Sequence, residues 1–250
     1  MKKLHEPVYR SRLAALVGAI GPHLEPGDRV LDVGCGFGQL GRALLDSPTA
    51  PAGLGVRGLE RCPRDHALIE LDAYDGRVMP YADDNFDVVI IADVLHHEGQ
   101  PLTLLAEAAR VAKRAVIVKD HQLAGPLAWW RIALIDYAAN APYRVRCLYR
   151  YNTPAQWRDW FDRLGLTRER EHTRLRLYPA AYEWAFGGRL QYLAVLSPPA
   201  TPATPSTPST PATLSPPGES RRPADDPGAV GSLPGRGAQL SRPAPGTPRA

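Results

Sequence analysis

The chain has 250 residues, with 30 Lys and Arg against 26 Asp and Glu, for a net charge of +4. Half of that excess sits at the C-terminal end, where Arg221, Arg222, Arg236, Arg242 and Arg249 face Glu219, Asp225 and Asp226. The remainder is too balanced to leave an electrostatic footprint for nucleic acid. Arginines do gather between Arg144 and Arg189, and their mixed charge surroundings read as a solvated face.

Residues 198–250 contain no aromatic residue and 14 of the 26 prolines. Such a stretch cannot bury enough apolar surface to offset its ordering entropy. A disordered tail with polyproline character is expected there, and one folded domain over residues 1–197. Cys35, Cys62 and Cys147 are too sparse for a disulfide framework or a cysteine zinc site, and no metal is expected. Reduced thiols, and an N-terminal stretch without an apolar run, suggest a cytoplasmic protein. No segment reaches the roughly 18 apolar residues of a membrane span. The nearest, residues 123–139, is broken by Arg131 and Asp136.

In chain order, Tyr9, Leu13, Leu16 and Ile20 predict an amphipathic helix over 8–20. A short buried strand follows at 29–33, then a glycine-rich turn at 34–41 opening a helix to about Leu45. A second strand is expected at 56–60 and a weakly signalled third at 68–71. Phe86–Ala92 reads FDVVIIA, a buried strand rich in β-branched residues. Residues 101–112 form a helix with proline at its first position, and 115–119 another strand. Alternating strands and helices imply a parallel sheet covered on both faces.

The second half departs from this alternation. Residues 126–139 are expected to be helical and apolar. Thr153-Pro-Ala-Gln156 is a capping box, and Trp157, Trp160, Phe161 and Leu164 give its helix one apolar face. Late strands near 172–177 and 189–196 suggest a hairpin. Trp129, Trp130 and Tyr137 either cover an acceptor or pack in the core.

The turn reads Val30-Leu-Asp-Val-Gly-Cys-Gly-Phe-Gly-Gln-Leu-Gly41. Glycines between a strand and a helix let a ligand approach the backbone and the helix N-terminus. Gly36-Phe-Gly38-Gln-Leu-Gly41 fits the dinucleotide pattern G-x-G-x-x-G, so a nicotinamide-dependent dehydrogenase is one reading. S-adenosylmethionine is the other. Asp32 favours it, because a carboxylate there opposes a pyrophosphate but can hold a cationic amino-acid moiety. Glu60 would accept hydrogen bonds from the ribose of either cofactor and disfavours a 2′-phosphate.

Four ordered blocks then decide the expectation. Val-Leu-Asp-Val-Gly-Cys-Gly-x-Gly resembles motif I of class I S-adenosylmethionine-dependent methyltransferases. Val56-Arg-Gly-Leu-Glu60 resembles their acidic second-strand end. Asp75-Gly-Arg-Val-Met-Pro80, followed by residues 83–97 ending in Leu95-His-His97, is similar to the methyltransferase type 11 group. Leu105 to Lys113 resembles the helix after it.

The resemblance spans about residues 28–120, leaving 121–160 as an acceptor-covering insertion. It implies a Rossmann-like, doubly wound α/β sheet in three layers, mostly parallel with a late antiparallel strand. It implies S-adenosyl-L-methionine as cofactor, held by Asp32, Gly34, Cys35, Gly36, Gly38, Glu60, Asp75 and Asp93. Asp72 rivals Asp75 at the adenine. The expected reaction is methyl transfer to a small organic acceptor. His96, His97, Asp120 and His121 are the candidates for a base, since they close the fourth and fifth strands. Cys35 reads as a small turn filler. A cofactor-binding regulatory module without transfer activity is the alternative from another class.

Overall fold

A computed structural model describes residues 2–63, 65–141 and 147–199. The expected tail therefore lies outside the described residues from 200 onward, as do Arg144 and Arg146. Among the described residues, seven strands form one sheet: β1 Arg29–Val33, β2 Gly55–Glu60, β3 Leu71–Ala73, β4 Phe86–Ala92, β5 Ala112–His121, β6 Thr167–His172 and β7 Gln191–Ser197. Their order is β3-β2-β1-β4-β5-β7-β6. The first five pair in parallel, whereas β7 runs antiparallel to both β5 and β6. Among the described residues, six α-helices accompany the sheet: α1 Lys2–Ile20, α2 Gln39–Leu45, α3 Pro101–Val111, α4 Ala128–Asn140, α5 Pro154–Arg163 and α6 Ala180–Phe186. Among the described residues, no helix is long and apolar enough to cross a membrane.

Strand residues alternate between two cores, since successive side chains leave opposite faces. Val30, Val88, Ile90, Ile117, Leu193 and Val195 pack under Leu16 and Ile20 of α1 and Leu40 and Leu44 of α2. Leu31, Val33, Val89, Ile91, Val116, Val118 and Tyr192 pack under α3 and α5. Three layers result, and β4 is buried along nearly its whole length because both faces are covered.

The capping box forms as expected. The Thr153 amide donates to Gln156 Oε1 at 2.8 Å, and the Gln156 amide to Thr153 Oγ1 at 3.2 Å. Thr153→Ala is expected to cost about 1 kcal/mol, measured as a lower urea midpoint with an unchanged slope.

Two strands fall elsewhere than expected. The third occupies Leu71–Ala73 rather than 68–71. Ile69 does not join it, because its side chain fills the hollow left by glycines; a Cβ on Gly38 would lie 2.5 Å from its Cγ1. The sixth is Thr167–His172 rather than 172–177, with the sequence TREREH and its last four residues exposed. An edge strand needs no apolar period, and its charges discourage pairing with a foreign strand. The expected hairpin is replaced by antiparallel neighbours with α6 between them.

Candidate active site

The carboxyl ends of β1, β2, β4 and β5 carry the site. Gly34 and Gly38 both adopt left-handed backbone, at φ +69° and +76°. A Cβ on Gly34 would sit 2.6 Å from Val94 Cγ2, so only glycine fits without strain. Above Gly36 there is open space, with nothing within 4 Å of where a Cβ would project. The Gly36 amide donates to Glu60 Oε2 at 2.9 Å, and the Arg61 amide to Glu60 Oε1 at 2.9 Å. Each Glu60 oxygen thus keeps further acceptor capacity.

Asp32 is 2% exposed, on the α1/α2 side of β1. Its Oδ2 has no hydrogen-bond partner. Burial raises its pKa to about 7, with the nearby Glu60 charge adding and the Gly41 amide opposing. Cys35 packs against Gly58, where an added Cβ would meet its Sγ at 2.6 Å. Burial and the Asp32 and Glu60 charges push its thiol up to about 12, so it is no nucleophile at neutral pH.

Asp72 and Asp75 differ sharply in their surroundings. Asp72 lies in β3, accepts from Arg57 Nη1 at 2.9 Å and from the Tyr81 hydroxyl at 2.7 Å. Its carboxyl is held below the usual range, the Tyr81 bond being the main cause. Asp75 is exposed and accepts the amides of Arg77 and Val78 at 2.8 and 3.2 Å, which fold its own turn.

Asp93 follows β4 at φ +57°, a conformation that costs a non-glycine residue on the order of 1 kcal/mol. Such strain persists where surrounding contacts over-determine it. Here Arg12 of α1 donates to Asp93 Oδ2, and Lys119 Nζ to Oδ1 at 2.5 Å. Burial opposes the Asp93 charge, but Arg12 and Lys119 overcome it and hold the carboxyl far below the usual range. Strand parity explains the pairing: Lys119 points to the same face as Ile117, toward α1.

Asp120 points the other way. Its Oδ1 meets His96 Nδ1 at 2.6 Å and accepts the His121 amide at 2.6 Å. Burial works against charge on His96, yet Asp120 and Asp136 outweigh it and raise its pKa to about 10. Burial, with Lys119 nearby, lowers His121 to about 3. A small pocket touches His96, Asp120 and His121 and is closed by Arg150, Asn152, Trp157 and Trp160.

Of the four base candidates, then, Asp120 and Asp136 favour a proton on His96, and burial disfavours one on His121. Asp120 is tied to His96. His97 alone of the four is part-exposed.

Arg12, Lys119, Asp136 and Tyr151 join the site without having been expected from the sequence. Lys119 and Asp136 did carry a signal, a charge inside an apolar run, because a buried charge needs a partner. Trp129, Trp130 and Tyr137 are not core: they are exposed on α4, while Ile132 and Asp136 face inward. Trp130 instead lines an apolar groove with Leu127, Leu134, Trp184 and Phe186.

Residues 17–141 match the family described as methionine biosynthesis protein MetW. The chain belongs to that family. Its fold is that of class I S-adenosylmethionine-dependent methyltransferases. An uncharacterised methyltransferase of Mycobacterium tuberculosis is 30% identical over 159 residues, covering 57% of this chain and 60% of that protein. Demethylmenaquinone methyltransferase of Renibacterium salmoninarum is 35% identical over 144 residues, covering 53% and 55%. The chain thus spans about 60% or less of the length of these two curated relatives.

Among solved structures, a SAM-dependent methyltransferase of Thermotoga maritima superposes with a TM-score of 0.57 at 16% identity, covering 79% of this chain and 93% of that one. The 1,6-didemethyltoxoflavin-N1-methyltransferase of Burkholderia thailandensis, solved with S-adenosylhomocysteine, gives 0.54 at 15% identity, covering 75% and 78%. These likenesses concern the fold.

Proposed function

We propose that this MetW-family chain binds S-adenosylmethionine at the β1–α2 turn and transfers its methyl group to a small organic acceptor. The observation that carries the reading is the buried, partnerless Asp32 Oδ2 beside an open glycine turn and an acidic β2 end. An orphaned buried carboxylate oxygen is costly unless a ligand satisfies it. A cationic amino group would do so, whereas a pyrophosphate would be repelled; this disfavours the dinucleotide reading. Glu60 offers its spare lone pairs to ribose hydroxyls, and Gly36 leaves room for the ligand to lie close to backbone. Asp72 is the better placed of the two aspartates to orient an adenine side, since it sits within the sheet edge and is held by Arg57.

When bound, S-adenosylmethionine supplies a methyl group on a sulfonium for in-line displacement, and the protein contributes positioning. Arg12 and Lys119 fix Asp93 at the mouth of the site. With His96 tied to Asp120 and burial disfavouring a proton on His121, the side chains favour an acceptor that needs no early deprotonation.

Isothermal titration with S-adenosylmethionine and S-adenosylhomocysteine tests the site directly. Micromolar binding is expected, weakened roughly ten- to a hundredfold in Glu60→Ala, the worth of hydrogen bonds to a charged acceptor. Undiminished binding by that variant would sink the site assignment. Formation of S-adenosylhomocysteine with candidate acceptors then tests transfer itself.

A further inference from the structure

We infer that His96, His97 and Asp136 form a site for a divalent transition-metal ion of the zinc class. No cysteine motif announces it: two ligands come from the turn Leu95–His97 and the third from α4. Among the described residues, this is the one group of three or more ligating side chains whose donor atoms converge, all within 4.8 Å of one another. His97 Nε2 lies 3.5 Å and His96 Nε2 3.7 Å from Asp136 Oδ1. Both separations are too long for good hydrogen bonds. They are close to the edge of a tetrahedral site, about 3.4 Å for metal–ligand bonds of about 2.1 Å.

The groups behind these ligands suit the role. His96 presents its other ring nitrogen to Asp120 Oδ1 at 2.6 Å. A carboxylate behind a ligating histidine fixes the ring and strengthens it as a donor. Asp136 Oδ2 accepts from the Tyr151 hydroxyl at 2.7 Å, and Oδ1, which accepts from Asn140 at 2.8 Å, keeps a further lone pair for the ion. The Asn140 amide nitrogen donates to Asp136 Oδ1 at 2.8 Å and to the Asp136 carbonyl at 3.0 Å, and lies 3.4 Å from His97 Nε2. Those two oxygen acceptors fix the amide with its nitrogen toward Asp136, so the fourth position falls to water. The imidazole and carboxylate set suits zinc, cobalt or nickel better than magnesium or calcium.

An ion here would clasp α4 to the end of β4, beside the small pocket at His96 and His121. It would also neutralise the Asp136 carboxylate, which is wholly buried.

The test is titration of the full chain, stripped of metal by a chelator, with zinc chloride. Cobalt chloride serves as a spectroscopic probe, and neither assay requires a methyl donor. One zinc ion per chain is expected. His97→Gln should weaken binding at least about tenfold and abolish the visible cobalt absorption; Asp120→Asn should weaken it about ten- to a hundredfold. Because Asp120 is buried, the half-buried His97 variant carries the decision, with circular dichroism confirming that it is folded. Equal affinity in wild type and His97→Gln would place the ion elsewhere and overturn the inference. Absence of binding to the folded wild type would overturn it too, leaving a hydrogen-bonded clasp between α4 and β4.

Discussion

Asp32→Asn is expected to abolish the pH dependence of S-adenosylmethionine binding. Asp32 titrates at about 7 in the folded chain because burial disfavours its charge. Only the ionised form attracts a cationic amino group, so wild-type affinity should climb through neutrality and level off about one pH unit above. Below neutrality each pH unit should cost up to about tenfold. The asparagine variant keeps the shape but has no charge to gain, so its affinity should be flat and, above neutrality, weaker than wild type. Titration calorimetry at three pH values decides this. An identical pH slope in the variant would assign the titration to another group.

The same residue makes a second, opposite statement about stability. Its folded pKa is raised above the unfolded value of 3.8. The folded state therefore holds a proton that the unfolded state releases, and stability falls as pH rises from about 4 to about 7. Asp32→Asn should accordingly stabilise the unliganded chain above neutrality, by up to about 4 kcal/mol. Loss of binding together with gain of stability marks a functional residue; a structural one would lose both.

Trp157→Ala is expected to cost about 4 kcal/mol, the upper range for a buried aromatic. Trp157 is 2% exposed. It stacks on Tyr192 of β7 at 5.4 Å and on Phe161 at 5.8 Å. Its indole also donates to the His121 carbonyl at 3.1 Å, so truncation leaves both a cavity and an unpaired carbonyl at the end of β5. A fall in Tm of about 10 °C is the corresponding shift for a domain this size. Calorimetry should show it. A loss below about 1 kcal/mol would mean that the helix carrying Trp157 is not anchored as described.

Much of this structure is legible in the sequence because it depends on local pattern. β4 shows as an unbroken β-branched run, and α5 as a capping box with one aromatic face. The glycine turn announces itself because Gly34 and Gly38 sit where side chains would collide. β3 and β6 escape a sequence reading for a common reason. Ile69 looks like strand but plugs a glycine hollow, and the charged TREREH looks like loop but is an edge strand. In both cases tertiary context overrides the local pattern.

The polar clusters are hidden more deeply. Arg12 lies 81 residues from Asp93 and His96 lies 24 from Asp120, so only the completed sheet reveals either pair. The exposure of Trp129 and Trp130 is equally unreadable, since α4 is apolar nearly all round and lacks a distinct buried stripe.

β7 follows β6 in sequence, yet it lies between β5 and β6. During synthesis β5 must therefore wait with one edge unpaired and its apolar residues ready to template a foreign strand. β6 must wait as well, with no sheet to join. Only when residues 191–197 leave the ribosome can both gaps close, so the interval before that is when the nascent chain most needs protection from aggregation.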